Sequence, residues 1–364
     1  MADPASTASR LAGIGRPRAV AIAALLLLAI IASVWGTAAA RDSIGSHAPP
    51  QAPAQSRANE DLVLYDRITT RVTTGETYYG AAAEELRANN YPLKPFVAFR
   101  LPTLTLVAAA IGRPALLLAQ YLLFGAVIAA WWFRLDGQFA DKGRRISAVM
   151  LAAAGVAVAV SGKYVLLHEL WAGTLIAVSL ALHRPGRWGW SVAAAGLALA
   201  IRELALPYVL LMAAFAVYRR DWREGAAWTI LVLLFAGGMA WHASEVARVV
   251  LPSDPQSPGW TTFGGWPGLL RTFHLAGPLR WLPQEVGAGA IVLALFGWAS
   301  WKSPTGLAAT LMYLGYGLAF MLFGRANNFY WGLMVTPAFL IGLAFLPQAS
   351  ADLVSETRAR EPAA

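Results

Sequence analysis

Apolar residues in this chain come in long unbroken stretches, divided by short breaks rich in basic residues, Gly or Pro. The first stretch covers residues 19–35; later ones cover 115–133, 146–181, 188–218, 226–247, 286–301, 307–323 and 330–345. A helix needs roughly 17–25 apolar residues to cross a hydrocarbon core about 30 Å thick. Helices and closed barrels are the structures that satisfy their own backbone inside it. The pattern therefore predicts an all-α, polytopic transmembrane protein. Residues 146–181 have room for two helices broken at Ser161-Gly162-Lys163, and residues 188–218 read as a hairpin turning at Arg202-Glu203. Residues 101–111 are too short to span and read as a re-entrant or interfacial helix. The expectation is ten spans, with eleven as the alternative.

Charge orients these spans. Basic clusters at Lys142, Arg144 and Arg145, at Arg184 and Arg187, at Arg219, Arg220 and Arg223, and at Lys302 mark cytoplasmic loops. Any two of them must be separated by an even number of crossings. That rule gives a cytoplasmic N-terminal tail (1–18), one transmembrane domain (19–350) and a cytoplasmic C-terminal tail (351–364). It also gives a large outside loop at 38–95 and a second at 248–285, the latter rich in Pro, Gly and Trp. Ala38, Ala39 and Ala40 resemble a signal-peptidase site, but the preceding apolar run exceeds a usual h-region, so the first span is read as uncleaved. Trp131, Trp132, Trp188, Trp190, Trp222, Trp228 and Trp301 fall near inside boundaries, as an aromatic belt would.

Composition narrows the function classes. The chain of 364 residues is 57% hydrophobic and 13% charged, where a soluble domain carries about a quarter charged residues. A water-soluble enzyme and a disordered chain are excluded, and the absence of cysteine excludes a disulfide scaffold. The net charge of +9 meets no basic helix or finger signature, so nucleic acid is not expected as a partner.

The polar residues are unevenly placed. Residues 41–59 have a linker composition, and residues 76–90 have helical spacing with Tyr79, Ala82, Ala83 and Leu86 on one face. This predicts an amphipathic helix on the outer membrane surface, with Glu84, Glu85 and Arg87 solvated. Ionisable residues near membrane depth are costly and tend to face cavities or one another. The outside breaks hold Lys163, His168, Glu169, Arg202, Glu203, Arg325, Asn327 and Asn328. Arg202 and Glu203 also fit an ion pair between packed helices, and His168 also fits helix packing. His168 and Glu169 are adjacent and lack the H-E-x-x-H spacing, and no nucleophile elbow, Walker loop or dinucleotide fingerprint is present. No metal ligands are assigned, although a divalent metal stays open as a cofactor. What remains is an outside-facing set of carboxylates, which can act as general bases, and of cations, which can clamp a phosphate.

Asp61-Leu62-Val63-Leu64-Tyr65 followed by Gly75-Glu76-Thr77-Tyr78-Tyr79 is similar to a D-x-x-x-Y … G-x-x-x-Y pattern. Tyr91-Pro92-Leu93-Lys94-Pro95-Phe96 with Leu101-Pro102 is similar to the proline-rich approach to a short outside helix. With one span, a large acidic outside loop and then many spans, the chain resembles the GT-C superfamily of integral-membrane glycosyltransferases. The likeness is to the bacterial branch that uses polyprenol-phosphate-mannose. The resemblance implies an inner-membrane enzyme with a periplasmic active site and a polyprenyl-phosphate sugar as donor. A glycan, lipid or protein hydroxyl would be the acceptor, and the transfer would invert the anomeric centre. It implies an Asp as general base. Asp61 is the first choice and Asp66 the second, because nine residues separate Tyr65 from Gly75 and leave the register open. Arg100, Lys163, Arg202 and Arg325 are candidates for the donor phosphate. Tyr78, Tyr79, His168, Glu169, Glu203, Asn327 and Asn328 are candidates for sugar or acceptor contacts. The competing expectations are a transporter or flippase, which would show repeats and midplane helix breaks, and a non-catalytic scaffold subunit.

Overall fold

The structure, a computed structural model, describes residues 9–47 and 54–359; the side chains of 39–58, 159, 326 and 327 lie outside what it describes. The distal parts of both tails and the middle of the expected linker therefore fall outside the described residues. Among those described, strand pairing is limited to two isolated bridges, Lys94 with Gln256 and Thr261 with Phe323. The chain runs α1 (Arg16–His47), α2 (Ala54–Thr73), α3 (Tyr78–Ala88), α4 (Thr103–Arg134), α5 (Lys142–Val156), α6 (His168–Leu182) and α7 (Gly189–Ile201). It continues through α8 (Leu206–Tyr218), α9 (Trp222–Val249), α10 (Gly265–Ala276), α11 (Gln284–Ser300), α12 (Pro304–Leu322), α13 (Thr336–Phe339) and α14 (Leu346–Arg358). Among the described residues, five helical segments are long and apolar enough to cross a membrane: Arg16–Ala38, Phe96–Arg134, Trp222–Val249, Pro304–Leu322 and Thr336–Arg358. The expected count of ten draws also on shorter apolar helices, among them α6, α7 and α11.

The breaks have local causes. Gly112 (φ 76°, ψ 161°) leaves helical geometry two residues before Pro114 and kinks α4. The segments read separately as 101–111 and 115–133 thus become the two arms of one bent helix. Gly162 adopts a left-handed φ of 60° between α5 and α6. Arg202 is extended (φ −147°, ψ 117°) between α7 and a 3-10 turn at Glu203–Ala205, and α8 then begins with proline in its first turn. On the basic loops, helix starts are capped by side chains: Asp141 accepts from the Arg144 amide, Asp221 from Glu224 and Ser303 from Gly306.

Several expectations change. Helix α2 begins at Ala54 and α1 runs to His47, so much of the expected linker is helical. The apolar face of α3 does not lie on lipid; Tyr78, Tyr79, Ala81, Ala82, Ala83 and Leu86 are buried, and α3 packs against α2 and α9. Its charges are not simply solvated. Arg71 pairs with Glu76, Glu84 and Glu85, and Arg87 binds both Asp254 carboxylate oxygens at 2.7 Å. The Arg87 hydrogen bonds hold the Asp254 carboxyl down to about 2. The expected outside loop at 248–285 contains α10, which buries Leu269, Leu270 and Phe273. The C-terminal tail is largely α14, folded onto the first helix: Ala349 and Leu353 pack on Leu11 and Ala19, and Glu356 accepts from the Gly13 and Gly15 amides. The stretch 330–345 is not a regular span, being mostly 3-10 turns at Ala326–Met334 and Leu340–Phe345 around the short α13. Trp131, Trp228 and Trp301 are buried in the core rather than placed in a belt, whereas Trp190 and Trp222 are exposed.

Helix α6 is the centre of the molecule, buried from His168 to Ala181. Close backbone approaches hold the irregular 326–345 stretch against it. A Cβ at Gly173 would stand 1.9 Å from the Leu333 carbonyl oxygen, and one at Gly297 of α11 would stand 1.9 Å from that of Gly342. Small residues that let backbones touch are the usual device for helix packing without a hydrophobic driving force.

Candidate functional site

Asp61 and Tyr65 stand four residues apart on α2 and so share one helix face. That face borders a cavity of about 620 Å³, with Leu64 and Ile68 also on its wall. The N-terminus of α6, the Arg202 break, the 257–260 loop and the start of the 326–334 turn close the other sides. Eight residues singled out from the sequence line it: Asp61, Tyr78, Arg100, His168, Arg202, Glu203, Arg325 and Asn328.

Asp61 Oδ1 accepts a hydrogen bond from the Tyr91 hydroxyl at 2.8 Å, and Tyr330 bonds the same carboxyl. Burial holds the Asp61 carboxyl above its usual range, while Arg100 and the two tyrosine bonds work in the opposite direction. Burial likewise raises Tyr65, Tyr78 and Tyr91, so these phenols stay neutral hydrogen-bond donors. Arg100 Nε donates to the Tyr65 hydroxyl at 2.9 Å, and its Nη2 reaches the Tyr330 hydroxyl at 3.5 Å. The Tyr78 hydroxyl in turn donates to the Arg100 carbonyl at 2.7 Å, fixing the backbone that carries the guanidinium.

An ion network forms part of the cavity wall, with Glu169 behind it. Glu169, in the first turn of α6, accepts from Arg202 Nε at 2.8 Å and stands 3.7 Å from Arg100 Nη2. Arg202, 1% exposed, also pairs with Glu203. Its charge is thus matched on two sides. Arg325 is different: its guanidinium donates to Ser257 Oγ at 2.9 Å and to the carbonyls of Gly259 and Pro258, with no carboxylate partner among the described residues. Arg325 is therefore the lining cation without a carboxylate partner among the described residues, whereas Arg100 shares Glu169 with Arg202.

The remaining candidates lie elsewhere. Asp66 pairs with Arg113 at 2.9 Å on the exposed side of α2. Tyr79 ties α3 to α9, its hydroxyl 3.0 Å from His242 Nδ1. Lys163 lines a separate cavity of about 200 Å³. Glu169 is fully buried and acts through Arg202 and Arg100, and the Asn327 side chain is outside the described residues. Tyr330 and Trp260 line the site without having been singled out: each is an ordinary aromatic in an apolar or Pro-rich stretch, and nothing in spacing marks it. Among the described residues no group of three His, Asp or Glu side chains gathers as metal ligands.

These groups amount to a buried carboxylate with raised basicity, a pair of guanidinia and several neutral donors around one chamber. No family model, curated protein or solved structure matches the chain.

Proposed function

We propose that the protein is a membrane glycosyltransferase that moves a sugar from a polyprenyl-phosphate donor to an acceptor hydroxyl. The observation that carries this reading is that Asp61, held above the usual carboxylate range, shares one cavity with Arg100 and Arg325. A base and a phosphate clamp are the two devices such a transfer needs.

In the proposed step Asp61 takes the proton of the acceptor hydroxyl. The acceptor oxygen forms a bond to the anomeric carbon from the face opposite the donor phosphate. The bond from that carbon to the phosphate oxygen breaks, its electron pair leaving with polyprenyl phosphate, and the configuration inverts. Arg325 and Arg100 stabilise the charge that develops on the departing phosphate. Arg202, Glu169 and Glu203 hold Arg100 and that part of the wall in place. Tyr91, Tyr78, His168 and Asn328 line the cavity and would contact the sugar or the acceptor. The site would face the periplasm of a bacterial inner membrane, because a lipid-borne donor is the one that reaches chemistry on that side.

The test uses purified protein in lipid nanodiscs with radiolabelled polyprenyl-phosphate hexose and pentose and a membrane extract as acceptor source. The expected result is release of polyprenyl phosphate with transfer of label, abolished in Asp61→Asn while the protein still folds. Full activity in Asp61→Asn overturns the assignment of the base. Movement of an intact lipid-linked substrate across liposomes with no transferred label overturns the enzyme reading in favour of a transporter.

A further inference from the structure

Tyr330 borders a second cavity, of about 200 Å³, as well as the first. Lys163 and Arg280 line it, and no carboxylate does among the described residues. Neither cation has a salt bridge among the described residues. Arg280 Nε donates to the Gly277 carbonyl at 3.2 Å and its guanidinium lies 5.8 Å from the Trp281 ring centroid. Lys163 Nζ stands 5.8 Å from the ring centroid of Tyr164. The rest of the wall is mainly apolar, including Leu62, Val158 and Leu167.

Next to these residues in the chain, the surface is apolar: Val160, Trp281 and Leu282 are all exposed. Two unmatched cations next to exposed aromatic and aliphatic side chains suit one environment, the boundary between phosphate headgroups and acyl chains. The space is about a third of the main cavity, the scale of a single headgroup rather than of two reactants. We propose that this second cavity binds the phosphate headgroup of an anionic bilayer phospholipid, Lys163 and Arg280 taking its oxygens and Trp281, Leu282 and Val160 meeting its acyl chains. The inference rests on the chain being a membrane protein and not on the sugar-transfer reading.

The experiment reconstitutes the full chain into phosphatidylcholine nanodiscs containing phosphatidylglycerol, extracts it in mild detergent and counts retained lipid by native mass spectrometry. Wild type is expected to keep one phosphatidylglycerol per chain, and Lys163→Gln with Arg280→Gln to lower that occupancy about tenfold. Lys163→Arg with Arg280→Lys restores it, and an unchanged melting temperature shows that the Gln variant folds. Asp61→Asn retains the lipid, which separates this site from the reactive one. Equal retention by wild type and the Gln variant, or equal retention of phosphatidylcholine and phosphatidylglycerol, overturns the proposal. A parallel arm offers polyprenyl phosphate. If that lipid displaces phosphatidylglycerol in a Lys163- and Arg280-dependent way, the cavity belongs to the isoprenoid substrate and the proposal is wrong.

Discussion

The phenol of Tyr91 donates to Asp61 Oδ1 at 2.8 Å across thirty residues of sequence, joining the segment after α3 to the face of α2 that borders the cavity. Burial alone would push the Asp61 carboxyl up, and this bond opposes the rise. Tyr91→Phe removes a donor that favours the ionised form, so the Asp61 pKa rises further. A hydrogen bond to a charged group contributes about 1.5–3 kcal/mol, which corresponds to about one to two pKa units. The proposed transfer requires the ionised base, so the acid limb of its pH–rate profile is expected to move to higher pH by about that amount. The alkaline plateau changes far less. A profile unmoved by Tyr91→Phe would show that Asp61 is not the titrating base.

Arg325 is the cavity guanidinium without a carboxylate partner among the described residues, and its present partners are Ser257 and the carbonyls of Gly259 and Pro258. Arg325→Gln is expected to lower kcat/KM for the donor about ten- to hundredfold, from about 1.5–3 kcal/mol of charge-assisted bonding. Fold and melting temperature change little. Arg325→Lys recovers only part, because a point charge cannot reproduce the guanidinium fork. Initial rates across a range of donor concentrations provide the check.

The Glu169–Arg202 pair behaves differently, because both partners are buried. Removing one partner strands the other charge, at a cost of about 3–5 kcal/mol. Glu169→Leu and Arg202→Met singly are expected to reduce folded protein sharply. The double substitution is expected to regain only part of the loss, since it leaves Glu203 without Arg202 and Arg100 without Glu169. Fluorescence-detected size exclusion of the three variants measures this.

Gly173→Ala places a methyl against the Leu333 carbonyl, a backbone atom that has no rotamer by which to move aside. Overpacking ordinarily costs about 1–3 kcal/mol, and a backbone clash at 1.9 Å lies at or above the top of that range. The melting temperature should drop by several degrees or the protein fail to accumulate. A control at Gly238, where nothing stands within 4 Å, leaves stability within about 1 kcal/mol of wild type.

The sequence reads well where the signal is one-dimensional. Apolar stretches, basic loops and the breaks at Gly162 and Arg202 all mark real changes of helix course or type, because solvation and backbone sterics act locally. Asp61, Arg100, Arg202, Glu203 and Arg325 meet in one cavity because costly ions in an apolar chain tend to face a shared polar space. What hydropathy could not supply was partnership. Tyr78 and Leu86 on α3 are equally apolar whether lipid or protein covers them. Trp131 and Trp228 have the same indole whether buried or in a belt, and Lys163 lies six residues from Glu169 yet opens on a different chamber. The 3-10 path of 326–345 is set by contact with Gly173 and Gly297, residues far away in sequence that composition presents as ordinary helix members.

Tyr330 is a single party wall between two rooms. Any occupant that displaces its ring enlarges one room at the expense of the other, and its hydroxyl is tied to the Arg100 guanidinium and the Asp61 carboxyl. Where an occupant does displace that ring, any linkage of binding free energies that results is reciprocal. A factor imposed on affinity beside Asp61 by a ligand beside Lys163 would then be returned equally by the second ligand to the first.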